Sequence, residues 1–158
     1  MNQLNPRNRN KDLHNAESIS IDDDYCFDRI VDILNECLGK NYKGYQRGTY
    51  SLDDDSVLWF PKMAIIENGI EKSQSRTKEW INTISEDGKT IRMYSHTEAL
   101  HRTKGDSRDL KHITFAKFQG EPYRYIGTFV RDYDLSQPSD HIFRRIETEF
   151  DLTPWRRK

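Results

Sequence analysis

Aromatic side chains alternate with basic and amide side chains along several strand-like stretches of this 158-residue chain. Aromatic rings can stack on a single or extruded nucleobase, while amide and ammonium groups can hydrogen-bond the edge of that base. Any one of these rings is more simply explained as core, but as a set we expect two or three to line a surface or cleft. The predicted base contacts are Trp59, Trp80, Asn82, Tyr94 and Lys117.

Basic side chains suited to phosphate binding accompany these aromatics. Residues 96–110 form a polar stretch that predicts a long surface loop, the kind of element in which function often resides. Residues 41–48 form a second loop, which either lies along a nucleic-acid backbone or only connects a helix to the sheet. Residues 56–158 carry 18 basic and 15 acidic side chains, which permits nucleic-acid binding without requiring it. The predicted phosphate contacts are Arg102, Lys104, Arg108 and Arg124.

Catalytic and metal chemistry has little support in the sequence. The five histidines form no HxH or HxxxH pair, so we predict neither a metal site nor a cofactor. No nucleophile elbow or Ser/His pattern is present. The closest approach to a carboxylate–lysine nuclease is Asp53–Asp55 with Glu67 and Lys72, and its spacing is wrong. The sequence therefore favours a protein without catalytic activity.

Composition predicts one small cytoplasmic domain. Hydrophobic residues make up 34% of the chain and charged residues 32%, so the core must rely on aromatics. No apolar run could cross a bilayer, and the N-terminus lacks the apolar centre of a signal peptide. Cys26 and Cys37 are eleven residues apart on a predicted helix, which makes a bridge between them implausible and favours reduced thiols. We predict a disordered leader over residues 1–20, a single domain over 21–152 and a basic tail over 153–158.

Two β-hairpins are predicted, and the first is central to the fold. Aromatic and β-branched runs at 113–118 and 123–130 flank a Gly- and Pro-containing turn. Strand alternation would place Tyr123, Tyr125, Gly127 and Phe129 on one face. Gly127 inside a strand indicates a bulge, a barrel corner or a close approach by another group. The second hairpin joins residues 80–84 to 90–94 through an Asp-Gly turn.

A helix and two further apolar stretches complete the pattern. Apolar residues from Phe27 to Leu38 recur at three- and four-residue steps, with Ser20 or Asp22–Asp24 as predicted N-caps and Gly39 as predicted C-cap. Residues 57–66 contain Pro61, which marks an edge, a bulge or a break. That break suits either a bent strand or the border of a ligand pocket. Residues 141–152 predict a last strand.

The stretch YRYIGTFV, residues 123–130, resembles the YRYDGLY-type strand of SRA domains. The order of WFPK (59–62), WxNxIxxDGK (80–89) and FAKFQGEPYRYIG (115–127) also resembles accessory modules of prokaryotic restriction endonucleases and helicases. The resemblance implies a PUA-like β-barrel that flips out and reads modified cytosine. This chain departs from the family pattern at Ile126, where SRA domains carry Asp.

These observations predict an α+β fold in which one N-terminal helix packs on a bent, mostly antiparallel sheet or partly open β-barrel. The predicted function is a non-catalytic nucleic-acid-binding module, with DNA favoured over RNA as partner and no membrane association. A modified-base reader linked to restriction or mobile DNA is the specific form of this hypothesis. Two alternatives stay open: a protein-interaction module of phage or plasmid type that binds a host enzyme, and a degenerate metal-dependent nuclease.

Overall fold

The computed structural model describes residues 10–74, 80–95 and 110–156, which form mostly β-structure. A 3₁₀ turn covers Leu13–Asn15, and the two helices are α1 (Ile30–Leu38) and α2 (Thr153–Arg156). None of the described helices has the length and apolar character needed to span a membrane. The strands are β1 (Ser18–Ser20), β2 (Thr49–Ser51), β3 (Ser56–Trp59), β4 (Ile65–Glu67), β5 (Ile70–Lys72), β6 (Ile81–Ile84), β7 (Thr90–Tyr94), β8 (Lys111–Lys117), β9 (Tyr123–Arg131), β10 (Asp140–Glu147) and β11 (Glu149–Asp151).

Seven strands form one bent sheet in the order β2-β3-β8-β9-β10-β7-β6, and β1-β11 and β4-β5 form two small antiparallel pairs. The sheet is mixed because β3 pairs with β8 in parallel, which the long connection between these strands allows. Over the described residues it stays open and does not close into a barrel. The predicted α+β class and bent, mostly antiparallel sheet are confirmed.

Residues 62–64 meet the edge strand β6 and partly bridge the opening of the sheet. The amide of Ala64 donates to the carbonyl of Asn82 over 2.7 Å, and Nδ2 of Asn82 donates to the carbonyl of Lys62 over 3.1 Å. These two bonds hold the segment against β6 without a continuous ladder. We call this junction the seam.

The central hairpin is confirmed as β8 and β9, but a bulge changes its faces. Thr114 pairs with Gly127 and Phe115 with Tyr125, so Ile126 is the extra residue in β9. An extra residue reverses the alternation of side chains beyond it. The predicted shared face for Tyr125 and Phe129 is therefore wrong.

The sheet consequently serves two cores. One face, which includes Phe115 and Tyr125, packs on α1 through Ile33 and Leu34. The opposite face carries Trp59, Met63, Ile91, Ala116, Ile126, Phe129 and Phe143, and we call it the inner face. Cys26 and Cys37 are both buried, and neither forms a disulfide.

The helix is shorter than predicted. It begins at Ile30, and Asp23 instead accepts a hydrogen bond from the amide of Ser20, so the predicted N-caps at Ser20 and Asp22–Asp24 are wrong. Phe27 precedes the helix and pairs through its main chain with Tyr123. Gly39 ends the helix at a φ of 69°, which confirms the predicted C-cap.

Residues 10–20 and 153–156 are more ordered than composition suggested. β1 pairs with β11, and Leu13 is buried. The guanidinium of Arg156 in α2 donates to five main-chain carbonyls, those of Leu13, His14, Ala16, Glu36 and Cys37, over 2.8–3.1 Å. The predicted disordered leader is thus wrong for residues 10–20, and residues 153–156 are not a free tail.

Gly127→Ala should destabilise the protein by about 2 kcal/mol or more. Gly127 has a φ of 126°, and an added Cβ would overlap Cδ of Arg145 and lie 3.2 Å from the carbonyl of Glu147. Urea denaturation would measure the change. Gly44→Ala is the matched control, because nothing lies within 4 Å of its Cβ position. Equal stability of the two variants would contradict a structural need for glycine at the bulge.

Arg156→Lys should cost about 2–4 kcal/mol of unfolding free energy, since one ammonium group cannot satisfy five carbonyls in a fixed fork. Arg144→Lys serves as control, because Arg144 is 56% exposed and makes a surface ion pair with Asp132. Exposed pairs contribute at most about 1 kcal/mol. Similar midpoints for wild type and Arg156→Lys in urea would refute the anchoring role.

Candidate nucleic-acid interface

A cavity of about 560 Å³ opens beside the seam, and we call it the seam cleft. Its walls come from the loop before β2, from the segment that follows β3 and from the start of β6. Pro61 lies in this wall, at the break that the sequence predicted either as a bend or as a pocket border. The described lining residues are Ile30, Tyr45, Gln46, Arg47, Gly48, Trp59, Phe60, Pro61, Lys62, Trp80, Asn82 and Tyr123.

Two tryptophans in the cleft rest on neighbouring positions of β10. The ring of Trp59 lies 4.9 Å from that of Phe143, between centroids, and the ring of Trp80 lies 5.3 Å from that of His141. His141 and Phe143 are two residues apart and both buried, so both point to the inner face. Trp59 is 8% exposed and Trp80 is half-buried, so Trp80 offers the more accessible ring.

Asn82 contributes a polar group whose orientation is fixed. Because Nδ2 donates to the carbonyl of Lys62, the amide oxygen Oδ1 must point the other way. Oδ1 is buried and has no hydrogen-bond partner among the described residues. A buried acceptor without a partner costs about 1–3 kcal/mol, so a ligand N–H placed there would recover that energy.

The charge lining the seam cleft favours an anion. Among its described lining residues, Arg47 and Lys62 are exposed bases, and none is acidic. A second cavity of about 670 Å³ has the opposite character, since it is lined by Lys111 and by the acids Asp53, Asp55, Glu147, Glu149 and Asp151. A polyanion would therefore be attracted to the seam cleft and repelled by the second cavity.

The loop over residues 41–48 is held at the cleft by its aromatics. The hydroxyl of Tyr45 donates to the carbonyl of Thr49 over 2.5 Å, and its ring meets that of Phe60 edge-on at 6.5 Å. This loop places Gln46 and Arg47 at the cleft. The sequence singled out the loop and the Trp-Phe-Pro-Lys break separately, but composition alone did not show that they meet.

The structure brings together Trp59, Trp80 and Asn82 but places Tyr94 and Lys117 elsewhere. Tyr94 donates its hydroxyl to Glu71 over 2.5 Å, and burial together with this bond raises the pKa of Tyr94 to about 12. Nζ of Lys117 donates to the carbonyl of Glu121 over 2.6 Å. Neither residue is among those that line the seam cleft.

The predicted phosphate contacts are also dispersed. Arg124 stacks on Phe118 at 5.4 Å and borders two smaller cavities away from the seam cleft. Arg102, Lys104 and Arg108 lie outside the described residues. Arg47 and Lys62 are the cleft bases that the sequence analysis did not assign, although each lies in a stretch that it singled out.

The nuclease arrangement is not assembled in one place. Lys72 and Glu67 form an exposed ion pair of 2.9 Å across the β4–β5 hairpin. Asp53 and Asp55 line the acidic cavity instead. Within residues 10–74, 80–95 and 110–156, no three His, Cys, Asp or Glu side chains are grouped so that they could hold a metal ion.

Comparison with known proteins identifies the fold family. The family model for the SET and RING associated domain, SRA, matches residues 12–152. The chain belongs to the SRA domain family. The solved structure of the 5-hydroxymethylcytosine-specific restriction enzyme AbaSI is similar to this SRA domain with a TM-score of 0.65 and 28% sequence identity. The match covers 94% of this chain and 45% of AbaSI, so the chain spans under half of that enzyme. No curated protein matches the chain.

These findings confirm the resemblance that the sequence indicated and relate this SRA domain to a module found in a restriction enzyme. They support a DNA-binding role at the level of the family. They do so independently of the cleft geometry, which rests on the residues of this chain alone.

The stability of this SRA domain should fall as the pH drops from about 7 to 5.5. Burial lowers the pKa of His112, whose ring packs edge-on against Trp59 at 5.5 Å. The unfolded chain then binds a proton that the folded state resists, so unfolding free energy rises with pH across this window, by at most about 1.4 kcal/mol per unit.

Urea denaturation at several pH values would show this effect, and His112→Gln should flatten it. His14→Gln is the control, because His14 is exposed. A pH dependence left intact in the His112 variant would show that another group is responsible.

Proposed function

We propose that this SRA domain is a non-catalytic reader that binds DNA and holds one extruded, modified cytosine in the seam cleft. The observation that carries the proposal is the pair of tryptophans beside the unpartnered amide oxygen of Asn82. Extruded bases are held between aromatic side chains and read by hydrogen bonds to their edges. The proposal also extends the DNA-binding role of the family to particular residues of this chain.

The two tryptophans share one side of the cleft. Trp59 and Trp80 rest on the rings of Phe143 and His141, which lie two residues apart on β10 and so face the same way. Trp80 is the more exposed of the two and acts as the outer ring, while Trp59 forms the inner wall.

Asn82 would select a base that donates a hydrogen bond. The amino group of cytosine is a donor, whereas the corresponding group of thymine is a carbonyl acceptor. Oδ1 of Asn82 can only accept, and Nδ2 is already used by the carbonyl of Lys62. The amino group of a cytosine would therefore satisfy the orphan acceptor, whereas thymine presents a carbonyl oxygen at the same position.

The nature of the modification is suggested by the related enzyme. AbaSI is described as specific for 5-hydroxymethylcytosine, and its similar part corresponds to nearly all of this chain. In the seam cleft, the exposed amide of Gln46 is a group able to hydrogen-bond a hydroxymethyl substituent. We propose 5-hydroxymethylcytosine as the first modified base to test, in a protein linked to restriction.

The test is fluorescence anisotropy with duplexes that differ only at one central base: cytosine, 5-methylcytosine, 5-hydroxymethylcytosine or 5-hydroxymethyluracil. A modified cytosine should bind more tightly than cytosine, and the uracil analogue should lose about 1–3 kcal/mol because its edge lacks the amino donor. Trp80→Ala should weaken binding of the modified duplex by about 1–3 kcal/mol.

Trp155→Ala is the matched control, because Trp155 is also half-buried but lines the acidic cavity. Its binding should equal that of wild type. Base reading in the seam cleft is ruled out if all four duplexes bind equally, or if the two tryptophan variants lose the same affinity.

A further inference from the structure

Arg131 ends β9 on the inner face of the sheet. It lies two residues beyond Phe129, whose side chain packs on that face, and directly opposite Phe143 on β10. Arg131 also acts on His112, because its positive charge adds to the effect of burial in lowering the pKa of His112. Phe143 and His112 both contact Trp59, so Arg131 adjoins the side chains that form the inner wall of the proposed base site.

Among the described residues, Arg131 has no ion pair of the kind that Arg92 and Arg144 form. Arg92 and Arg144 form ion pairs with Asp140 and Asp132, and Arg156 is saturated by carbonyls. Arg131 instead places its guanidinium over the ring of Tyr133, 4.8 Å from the centroid. Its Nε is buried, and no hydrogen-bond partner for it lies in the part of the chain that the structure describes.

An orphan guanidinium N–H in this position points to an anionic ligand. Leaving a charged donor buried without an acceptor costs more than leaving a neutral donor in the same state. The aromatic ring of Tyr133 holds the guanidinium plane without neutralising its charge. A planar, oriented fork of donors matches the geometry of a phosphate group, which can accept two hydrogen bonds from it.

We infer that Arg131 binds a phosphate of the DNA strand whose base enters the seam cleft. The inference rests on the proposed function, because it is the cleft beside Trp59 that brings a DNA strand to this face. It adds a phosphate contact outside the cleft walls, at a residue that the aromatic and basic patterns of the sequence did not single out.

Salt dependence of binding tests this contact. Each phosphate contact adds about 0.9 to the slope of log affinity against log salt. Arg131→Gln should therefore lower the slope by about 0.9, so that the affinity lost between 50 and 200 mM salt is about 3.5-fold smaller than for wild type. The reduction should be the same on plain and modified duplexes.

Two control variants test whether the change in slope is specific to the charge of Arg131. Arg131→Lys keeps a charge and should keep most of the slope. Arg144→Gln removes a charge that Asp132 already neutralises on a neighbouring strand and should leave the slope unchanged. An unchanged slope in Arg131→Gln, or an equal reduction in Arg144→Gln, would overturn the inference.

A second measurement uses the wild-type protein and so does not depend on how the variants fold. Replacing single phosphates that flank the modified base by neutral methylphosphonates should reduce affinity several-fold at one position. Arg131→Gln should be insensitive to that replacement. If no flanking position affects wild-type binding, the contact does not exist. Equal binding of plain and modified duplexes would overturn base reading alone, since the slope and methylphosphonate comparisons would still decide the role of Arg131.

Discussion

The structure depends on one extra residue in β9. Because Ile126 has no partner on β8, the strand presents Tyr123 and Tyr125 to the helix but Phe129 to the inner face. A regular strand would put Phe129 on the helix side and leave the inner core without its central ring. The bulge is possible because residue 127 is glycine, which adopts a φ of 126° beneath the side chain of Arg145. One strand thereby completes two cores.

Both cores reach the seam cleft. The helix-side core packs on α1, and Arg156 ties residues 13–16 to the last turn of that helix. The inner face contributes Trp59 to the cleft, where Trp80 also lies. The described charged residues that line the seam cleft are basic, and those that line the second cavity are mainly acidic. A polyanion is therefore attracted to the seam cleft and repelled from the acidic cavity. The seam cleft is lined from both cores, since Trp59 belongs to the inner face and Phe60 and Tyr123 belong to the helix-side core.

Sequence patterns correctly predicted the features that depend on interactions between residues close together in the chain. Both hairpins and the end of the helix at Gly39 follow from turn residues and alternation that lie within a few positions of one another. Distant contacts gave no such signal. Arg156 reads as part of a basic tail until its carbonyl partners more than 100 residues away are known, and the polar residues 10–20 look disordered for the same reason. The presence of Trp59 and Trp80 in one cleft also depends on the seam, which no short pattern encodes.

The departure of this chain from the family pattern at Ile126 has a physical consequence. Ile126 is 8% exposed and packs in the inner core with Phe129, so an aspartate there would place a charge among apolar rings. Because isoleucine offers no hydrogen bond, any reading of a base in this chain must rely on other polar groups. We propose Asn82 for that role, since its amide is fixed by the seam and its oxygen has no partner among the described residues. The bulge that buries Ile126 also directs Arg131 to the inner face. The irregularity at the position where the family carries aspartate therefore also determines where the side chain of Arg131, which has no ion pair in the described part of the chain, lies.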